Sequence, residues 1–567
     1  MPFAGALRVP VRPVLRVPTE TTLSEQNDAV SIPTGNPPAT DKPGFRPAVV
    51  APVPLEAVAS SLGIALPPDS AATSVTGVSL NSRTVEPGDL YLALPGATRH
   101  GADFVSQAVA AGAVAVLTDE DGACQLALED LAVPVLIVGN PRAAVGSLAA
   151  LVYRSQPLDG VSPTLFGVTG TNGKTTTTYF INSLLRALGM NPGLIGTIEI
   201  LAGGEAIPSL LTTPESTDVH ALLALMRERG LEAASMEVSS HALSFHRVDS
   251  VTFDVAGFTN LTQDHLDLHG SMDEYFRTKA ELFTSARARR AVVTVDDPWG
   301  RQLADEAGIP VTTLSATPGG GADWTVESAK PRGLGTDFEL RHRDGTVLRV
   351  HTGLPGDFNV ANAALATIMV LDSGIEPSAL QAALDGHDPF TVSVPGRMQL
   401  ISDAPAAVVD FAHNPDALAR ALKAVRPQAP GSRVIVVFGA TGQRDQGKRP
   451  TMGAIAARLA DVVIVSDDDP HDEDAAAIRS EVIAGARAAR ESEDLDCEIV
   501  EAYPRDVAIR QAVELATEKD TILVAGRGHE VWQEVKGVNL ALDDRVELRA
   551  ALTARGFKVS TDERIES

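Results

Sequence analysis

Apolar positions along the chain fall into short strand-like runs, each followed by a stripe with helical spacing. The run 164–168 is mostly apolar and rich in strand formers. After a glycine-rich segment, Ile181, Leu184, Leu185 and Leu188 fall at i, i+3, i+4 and i+7, and Gly189 ends the stripe. That pattern predicts strand, glycine loop, helix. Upstream, the segment GVSLNSRTVEPGDLYLAL predicts two strands around a Pro-Gly turn. Runs 104–111 and 143–153 predict helices, and 113–117 and 134–138 predict strands. Downstream, 231–236 and 253–258 predict buried strands, and DEYFRTKAELF predicts a helix. From about Gly396 the alternation is most regular. There 407–411, 434–438, 462–465, 498–500 and 521–525 predict strands, and 416–425 is a helix with Leu418, Leu422 and Val425 on one face. The fold class is α/β, ending in a Rossmann-like doubly wound parallel sheet.

Length and charge narrow the class. A chain of 567 residues is too long for one core, and three domains are expected: 49–158, 159–394 and 395–567. Residues 1–48 are rich in proline and lack a sustained period, which predicts a disordered arm. Arg8, Arg12 and Arg16 make its start basic, but no apolar signal-peptide core follows. A net charge of −26 disfavours non-specific nucleic-acid binding. No apolar run approaches the roughly 18 residues of a membrane span. Cys124 and Cys497 lie far apart, outside any metal-ligand spacing, and are expected to be reduced, buried thiols. A soluble, cytoplasmic protein is expected, and a monomer.

The candidate chemistry begins at the glycine loop. Gly170 and Gly173 precede Lys174 and four threonines. Backbone N–H groups of such a loop point at an anion, the helix dipole adds to the field, and the lysine brings a point charge. Thr175 can offer its hydroxyl to a nucleotide-bound magnesium, so the loop reads as an ATP site. Polar residues at the carboxyl ends of strands are where open parallel sheets hold ligands. Glu237, Ser239, Ser240 and His241 follow one strand, and a glutamate there can hold magnesium. His265 and His269 flank Asp267, a spacing that on a helix suggests zinc. No third ligand is evident, and Gly270 favours a loop. Lys279 in isolation reads as a surface lysine. Asn81, Ser82 and Arg83 fit a polar ligand or a solvated turn equally well. In the C-terminal third, Asp410 with His413, Arg444 with Asp445, 467–469 and 526–530 follow successive strands and suggest one binding surface.

Taken in order, GTNGKTTT, LTTPES, MEVSSHAL, TNLTQDHLDLHG, GDFNVANA, PGRM, DFAHNPD, GQRDQGKRPTMGAIA and AGRGHE resemble the Mur ligases. The resemblance covers essentially everything after residue 50. It is to the type that adds a diamino acid to UDP-N-acetylmuramoyl-L-alanyl-D-glutamate. It implies a UDP-binding first domain, an ATP-binding central domain and an amino-acid-binding last domain. The reaction it implies passes through an acyl phosphate. By motif, Gly170, Thr171, Asn172, Gly173, Lys174, Thr175 and Thr176 would cradle the phosphates. Thr175 and Glu237 would hold one Mg²⁺, and His265 with a carbamylated Lys279 a second. Asn359 and Asn362 match adenine-side positions, and Arg397 and Asp410 phosphate and ribose contacts. Leu80 and Ser82 match the uridine side. Thr212, Thr213, Ser239 and Arg247 match the muramoyl-peptide grip. Arg444, Asp468, Asp469, Pro470, His471, Gly526 and Glu530 would receive the diamino acid.

Three positions depart from the family pattern. Leu211 replaces a usual asparagine, Phe245 a common glutamine, and His471 the arginine found in enzymes that add meso-diaminopimelate. A distal carboxylate wants a forked, permanent cation, whereas histidine makes single bonds and is mostly neutral at pH 7. The expectation is therefore L-lysine or L-ornithine rather than meso-diaminopimelate. Another arginine, such as Arg479 or Arg527, could reach the same spot. The rival readings are a folylpolyglutamate-type ligase, which should lack the UDP-binding domain and AGRGHE, and a P-loop switch that hydrolyses ATP without an acceptor.

Overall fold

In the computed structural model of the protein, residues 45–66, 70–127, 131–157, 162–204, 206–427 and 429–560 are described. Arg8, Arg12, Arg16 and most of the proline-rich arm lie outside them. The end of that arm departs from the disordered expectation. Arg46 donates to both Asp89 carboxylate oxygens, at 2.6 and 2.8 Å. The Ala48 and Val49 N–H groups donate to Glu228, and Phe45 packs on a central core. A bidentate guanidinium–carboxylate pair gives geometric as well as electrostatic definition, so the ordered chain starts before residue 49.

The first sheet has four strands, Gly77–Ser79, Asp89–Leu92, Ala115–Thr118 and Val135–Ile137, in sequence order and all parallel. The Pro-Gly turn at 87–88 thus closes no hairpin. Every residue of the first three strands is buried. A sheet covered on both faces needs crossover connections, which parallel strands supply.

The central sheet has eleven strands. Its parallel part runs Pro192–Ile195, Ala233–Glu237, Thr164–Thr169, Phe253–Phe258, Ala288–Thr294 and Val311–Ser315. Successive residues feed opposite cores, as the pleat requires. Phe166 and Val168 join the helices Lys174–Ala187 and Asp357–Asp372, while Leu165 joins Leu222, Met226 and Tyr275. An antiparallel meander, Trp324–Arg332, Gly335–His342 and Val347–Thr352, extends one edge.

The C-terminal sheet runs Gln399–Asp403, Ala406–Asp410, Thr521–Ala525, Val434–Phe438, Val462–Val465 and Glu498–Glu501. All pairs are parallel except the first, an edge strand that the sequence pattern had not suggested. Val434 and Val436 face one core, Ile435 and Val437 the other, so the sheet is doubly wound as expected. Cys497 is buried but Cys124 is exposed, contrary to expectation. Its helix Glu120–Leu126 buries only Gly122 and Leu126, and Cys124 points away from that face. Among the described residues no helix is long and apolar enough to cross a membrane.

Helices Lys448–Leu459 and Ala475–Glu493 approach closely on one flank of this sheet. A Cβ on Gly453 would stand 2.0 Å from Val482 O, and one on Gly485 2.0 Å from Pro450 O. The two glycines therefore let the backbones meet. Gly453→Ala or Gly485→Ala should destabilise the C-terminal unit by about 1–3 kcal/mol through overpacking. Thermal melts of each variant check this; an unchanged or raised midpoint contradicts it.

Candidate active site

The parallel strands of the central sheet end together at the glycine loop. After Thr164–Thr169 the chain turns at Gly170 (φ 143°) and Gly173 (φ 94°), and Gly173 caps the helix that starts at Lys174. Lys174 Nζ donates to Gly170 O at 3.0 Å and Thr171 O at 2.8 Å. Burial pushes this lysine below its ordinary range, against the pull of the Glu237 and Asp264 carboxylates. Thr175 Oγ1 donates to Glu237 Oε2 at 2.9 Å. Glu237, at the end of its strand and 1% exposed, also accepts from the Thr197 amide at 2.7 Å and hydroxyl at 3.0 Å. Thr197 carries no signal in the sequence, because it joins the site only through the sheet.

Lys279 is not a surface residue. It is 1% exposed, its Nζ donates to Gly170 O at 2.9 Å, and the amine stands 4.6 Å from the Tyr275 ring centre. Burial, and then the Lys174 charge, push it well below the lysine range. His265 and His269 bracket a single helical turn, Leu266–His269, where a loop was expected; Gly270 ends it. His265 takes a left-handed backbone (φ 52°), and burial lowers its ring to about 4. Among the described residues no three His, Cys, Asp or Glu side chains are grouped to hold a metal, so the zinc spacing finds no partner.

Asp264, unassigned from sequence, joins the central unit to the C-terminal one. His413 Nε2 is 3.7 Å from its Oδ2, and Asn414 Nδ2 is 3.5 Å away. Burial would raise Asp264, but His413 and His265 outweigh it and hold the carboxyl far below its usual range. Arg397 reaches across from the same side, with Nη2 at 3.4 Å from Thr175 Oγ1 and its guanidinium 4.2 Å from the Phe411 ring centre. Among the described residues its buried Nη1 has no partner. Asp410 accepts from the Met398 N–H at 2.7 Å, and burial raises its carboxyl.

These groups line a cleft of about 960 Å³ that also includes Thr171, Asn172, Thr176, Thr212, Asn359 and Asn362. Asn362 donates to Asn359 Oδ1 at 3.1 Å and lies directly against the loop. The Arg397 Nη1 and the Lys174 amine beside the helix N-terminus suit a polyphosphate. The Glu237 carboxylate beside the Thr175 hydroxyl forms a hard-oxygen pair of the kind Mg²⁺ takes together with waters and phosphates.

Thr213, Ser239 and Arg247 form one connected group next to Glu237. Thr213 Oγ1 donates to Glu237 O at 2.8 Å and contacts Ser239 Oγ, while Arg247 Nε donates to Glu215 at 2.9 Å. Thr212 Oγ1 lies 3.1 Å from Thr197 Oγ1. Leu80 and Ser82 lie apart from these, on the four-stranded unit, where Ser82 donates to Gln107 at 3.0 Å. Asn81 Oδ1 accepts from the Arg83 N–H, so the local turn forms as such.

The C-terminal strand ends gather the remaining positions. Asp468 accepts from Thr441 Oγ1 at 3.3 Å and the Asp469 N–H at 2.8 Å. Asp469 pairs with Arg527, and Pro470 O packs against Gly442. Gly526 (φ 117°) leaves room for Asp468, whose Oδ2 would stand 2.6 Å from a Cβ there. Burial, aided by Asp468, raises Glu530 to about 8. His471 Nδ1 is 3.1 Å from Glu534 Oε2, a residue the sequence reading passed over. Arg444 is exposed on the neighbouring loop.

Residues 74–153, 168–370 and 396–528 match, in order, the profiles described as Mur ligase family catalytic domain, Mur ligase middle domain and Mur ligase glutamate ligase domain. The chain is 45% identical over 506 residues to a UDP-N-acetylmuramyl-tripeptide synthetase of Leifsonia xyli subsp. xyli, covering 89% of this chain and 96% of that one. It is 44% identical over 509 residues to a UDP-N-acetylmuramoyl-L-alanyl-D-glutamate–2,6-diaminopimelate ligase of Streptomyces avermitilis, covering 89% and 98%. A solved structure of a ligase with the latter activity superposes with a TM-score of 0.60 at 30% identity, over 90% of this chain and all of that one. The chain belongs to the Mur ligase family. Its relatives are of the MurE type, and its reaction is the ATP-dependent addition of an amino acid to a UDP-N-acetylmuramoyl peptide in peptidoglycan synthesis.

Gly173 tests the nucleotide loop. Its φ favours glycine, and a Cβ there would stand 2.4 Å from Asn362 Oδ1. Gly173→Ala should weaken ATP binding by about tenfold or more through loss of loop geometry. Titration with a fluorescent ATP analogue reads this directly, and native affinity in the variant contradicts it.

Proposed function

We propose that the protein joins a diamino acid to the D-glutamyl carboxylate of UDP-N-acetylmuramoyl-L-alanyl-D-glutamate, in the cytoplasm, as a monomer. The observation that carries this reading is the meeting of Lys174, Thr175, Glu237 and Arg397 in one cleft, with the buried Lys279 amine reaching the loop at Gly170 O. The chain divides near 158 and 394 into units for the UDP end, for ATP and for the diamino acid. A carboxylate approaching a triphosphate brings two anions together, so fixed positive charge must lower the barrier. Lys174 turns its ammonium from the Gly170 and Thr171 carbonyls to the β- and γ-phosphate oxygens. Arg397 offers its unpartnered Nη1 to the same phosphates, and Asn359, Asn362 and Asp410 hold the nucleoside. Mg²⁺ supplies further charge neutralisation when held by Thr175 and Glu237. Thr212, Thr213, Ser239 and Arg247 orient the D-glutamyl end, with Leu80 and Ser82 at the uridine. The D-glutamyl carboxylate oxygen attacks the γ-phosphorus and ADP leaves, giving an acyl phosphate; the acceptor amine then attacks its carbonyl carbon, loses a proton, and phosphate leaves. Inorganic phosphate released only when UDP-dipeptide and diamino acid are both present tests the whole reading; equal release without them refutes it.

Lys279 serves as a carbamate that, with His265, offers oxygen and nitrogen ligands to a second Mg²⁺. A buried amine bonded only to a carbonyl is suited to reaction with CO₂, which turns a costly buried cation into a useful anion. Lys279→Ala should lower kcat by about 10²–10³-fold or more, with partial rescue by added short carboxylates, whereas Lys279→Arg should not be rescued. Steady-state rates with and without acetate or formate decide the point. Full activity in Lys279→Ala sinks it.

The diamino acid is L-lysine or L-ornithine. Arg527 is taken up by Asp469 and the Trp532 carbonyl, and Arg479 by Asp467 and Glu501. His471 faces Glu534 instead of offering a free cation. Both guanidinium groups are thus engaged elsewhere, and Glu534 beside His471 favours a lone ammonium at the far end of the acceptor, while Arg444 meets the α-carboxylate. Several relatives are named for diaminopimelate, which makes that amino acid the competing outcome. Lysine or ornithine should give a kcat/KM at least about tenfold above meso-diaminopimelate, and His471→Arg should narrow the gap. Diaminopimelate preferred by the native enzyme overturns the assignment.

A further inference from the structure

A buried guanidinium in the C-terminal sheet joins two loops that strand pairing alone leaves unconnected. Arg505 and Asp544 each have 0% exposure. Arg505 Nε and Nη2 donate to the two Asp544 carboxylate oxygens, each at 2.8 Å. Its Nη1 also donates to Asp467 O at 3.0 Å, and its Nη2 to Ala525 O at 2.8 Å. Ala525 ends the strand Thr521–Ala525, and Asp467 follows closely on Val462–Val465. These strands are not neighbours, because Val434–Phe438 lies between them. One side chain thus ties together the chain at the ends of two strands that a third separates, at the edge where both loops leave.

Its charge acts on the same edge. Asp468 is 5% exposed, and burial alone would raise its carboxyl. Arg505 and Arg527 outweigh burial and keep it below the ordinary range. Arg505 and Asp544 are absent from the lining of the nucleotide cleft. Only a forked donor set can serve a carboxylate and two carbonyls together; a lysine ammonium lacks that reach.

We propose that the Arg505–Asp544 pair positions the diamino-acid site, fixing the separation and charge of loops 467–471 and 526–530 without touching substrate. The inference rests on reading those loops as the acceptor site. Arg505→Lys and Asp544→Asn are compared with the native enzyme by steady-state kinetics in each substrate. Acyl phosphate formed without diamino acid is measured separately by hydroxylamine trapping. Both variants should raise KM for the diamino acid by about ten- to a hundredfold, leave KM for ATP and UDP-dipeptide within about twofold, and trap acyl phosphate at the native rate per folded enzyme. A pair that serves stability alone would lower the melting temperature and the active fraction while all three KM values stay native, and that result overturns the proposal. Asp544→Asn keeps the side-chain shape and decides the matter if Arg505→Lys does not fold. A native enzyme that traps acyl phosphate but forms no product with any diamino acid would instead refute the functional reading.

Discussion

Two lysine amines converge on one carbonyl, that of Gly170, at 3.0 and 2.9 Å. Like charges this close inside a protein repel, and burial adds to the cost. The arrangement persists because anions surround it. Glu237 and Asp264 lie within electrostatic reach of Lys174, and the cleft admits a polyphosphate. Lys279 is the amine pushed down further, because burial and Lys174 act on it in the same direction. The glycine loop is thus a store of amine donors gathered where a polyphosphate would engage them.

That store works only if the units meet over it. Asp264 faces His413 and Asn414, Asn172 faces Asp416, and Arg397 crosses to Thr175. Each contact joins a loop or helix start of the central unit to one of the C-terminal unit. Both sheets turn their carboxyl edges toward the shared cleft, the edge where open parallel sheets present ligand groups. Loops 467–471 and 526–530 leave the same C-terminal edge further along.

The local pattern made much of the fold legible. Strands 434–438 and 462–465 match the sequence pattern to the residue, because buried parallel strands are unbroken apolar runs bounded by polar ends. The meander 324–352 went unread although its signal was there: Trp324 and Val326, Phe338 and Leu340, Leu348 and Val350 alternate with polar residues. The parallel pairing of 77–79 with 89–92 was not legible. A Pro-Gly turn resembles a hairpin until the burial of both faces is known.

The sequence by itself determined the α/β class and the phosphate loop, since spacing along one strand, loop or helix is a property of neighbours in the chain. It could not decide that Lys279 is buried, that Thr197 supports Glu237, that Cys124 is exposed, or that Arg505 bridges two strands across a third. Each of these depends on contacts between residues distant in sequence. Burial, and the protonation it controls, belongs to the packed surroundings, and only the tertiary structure sets what those surroundings are.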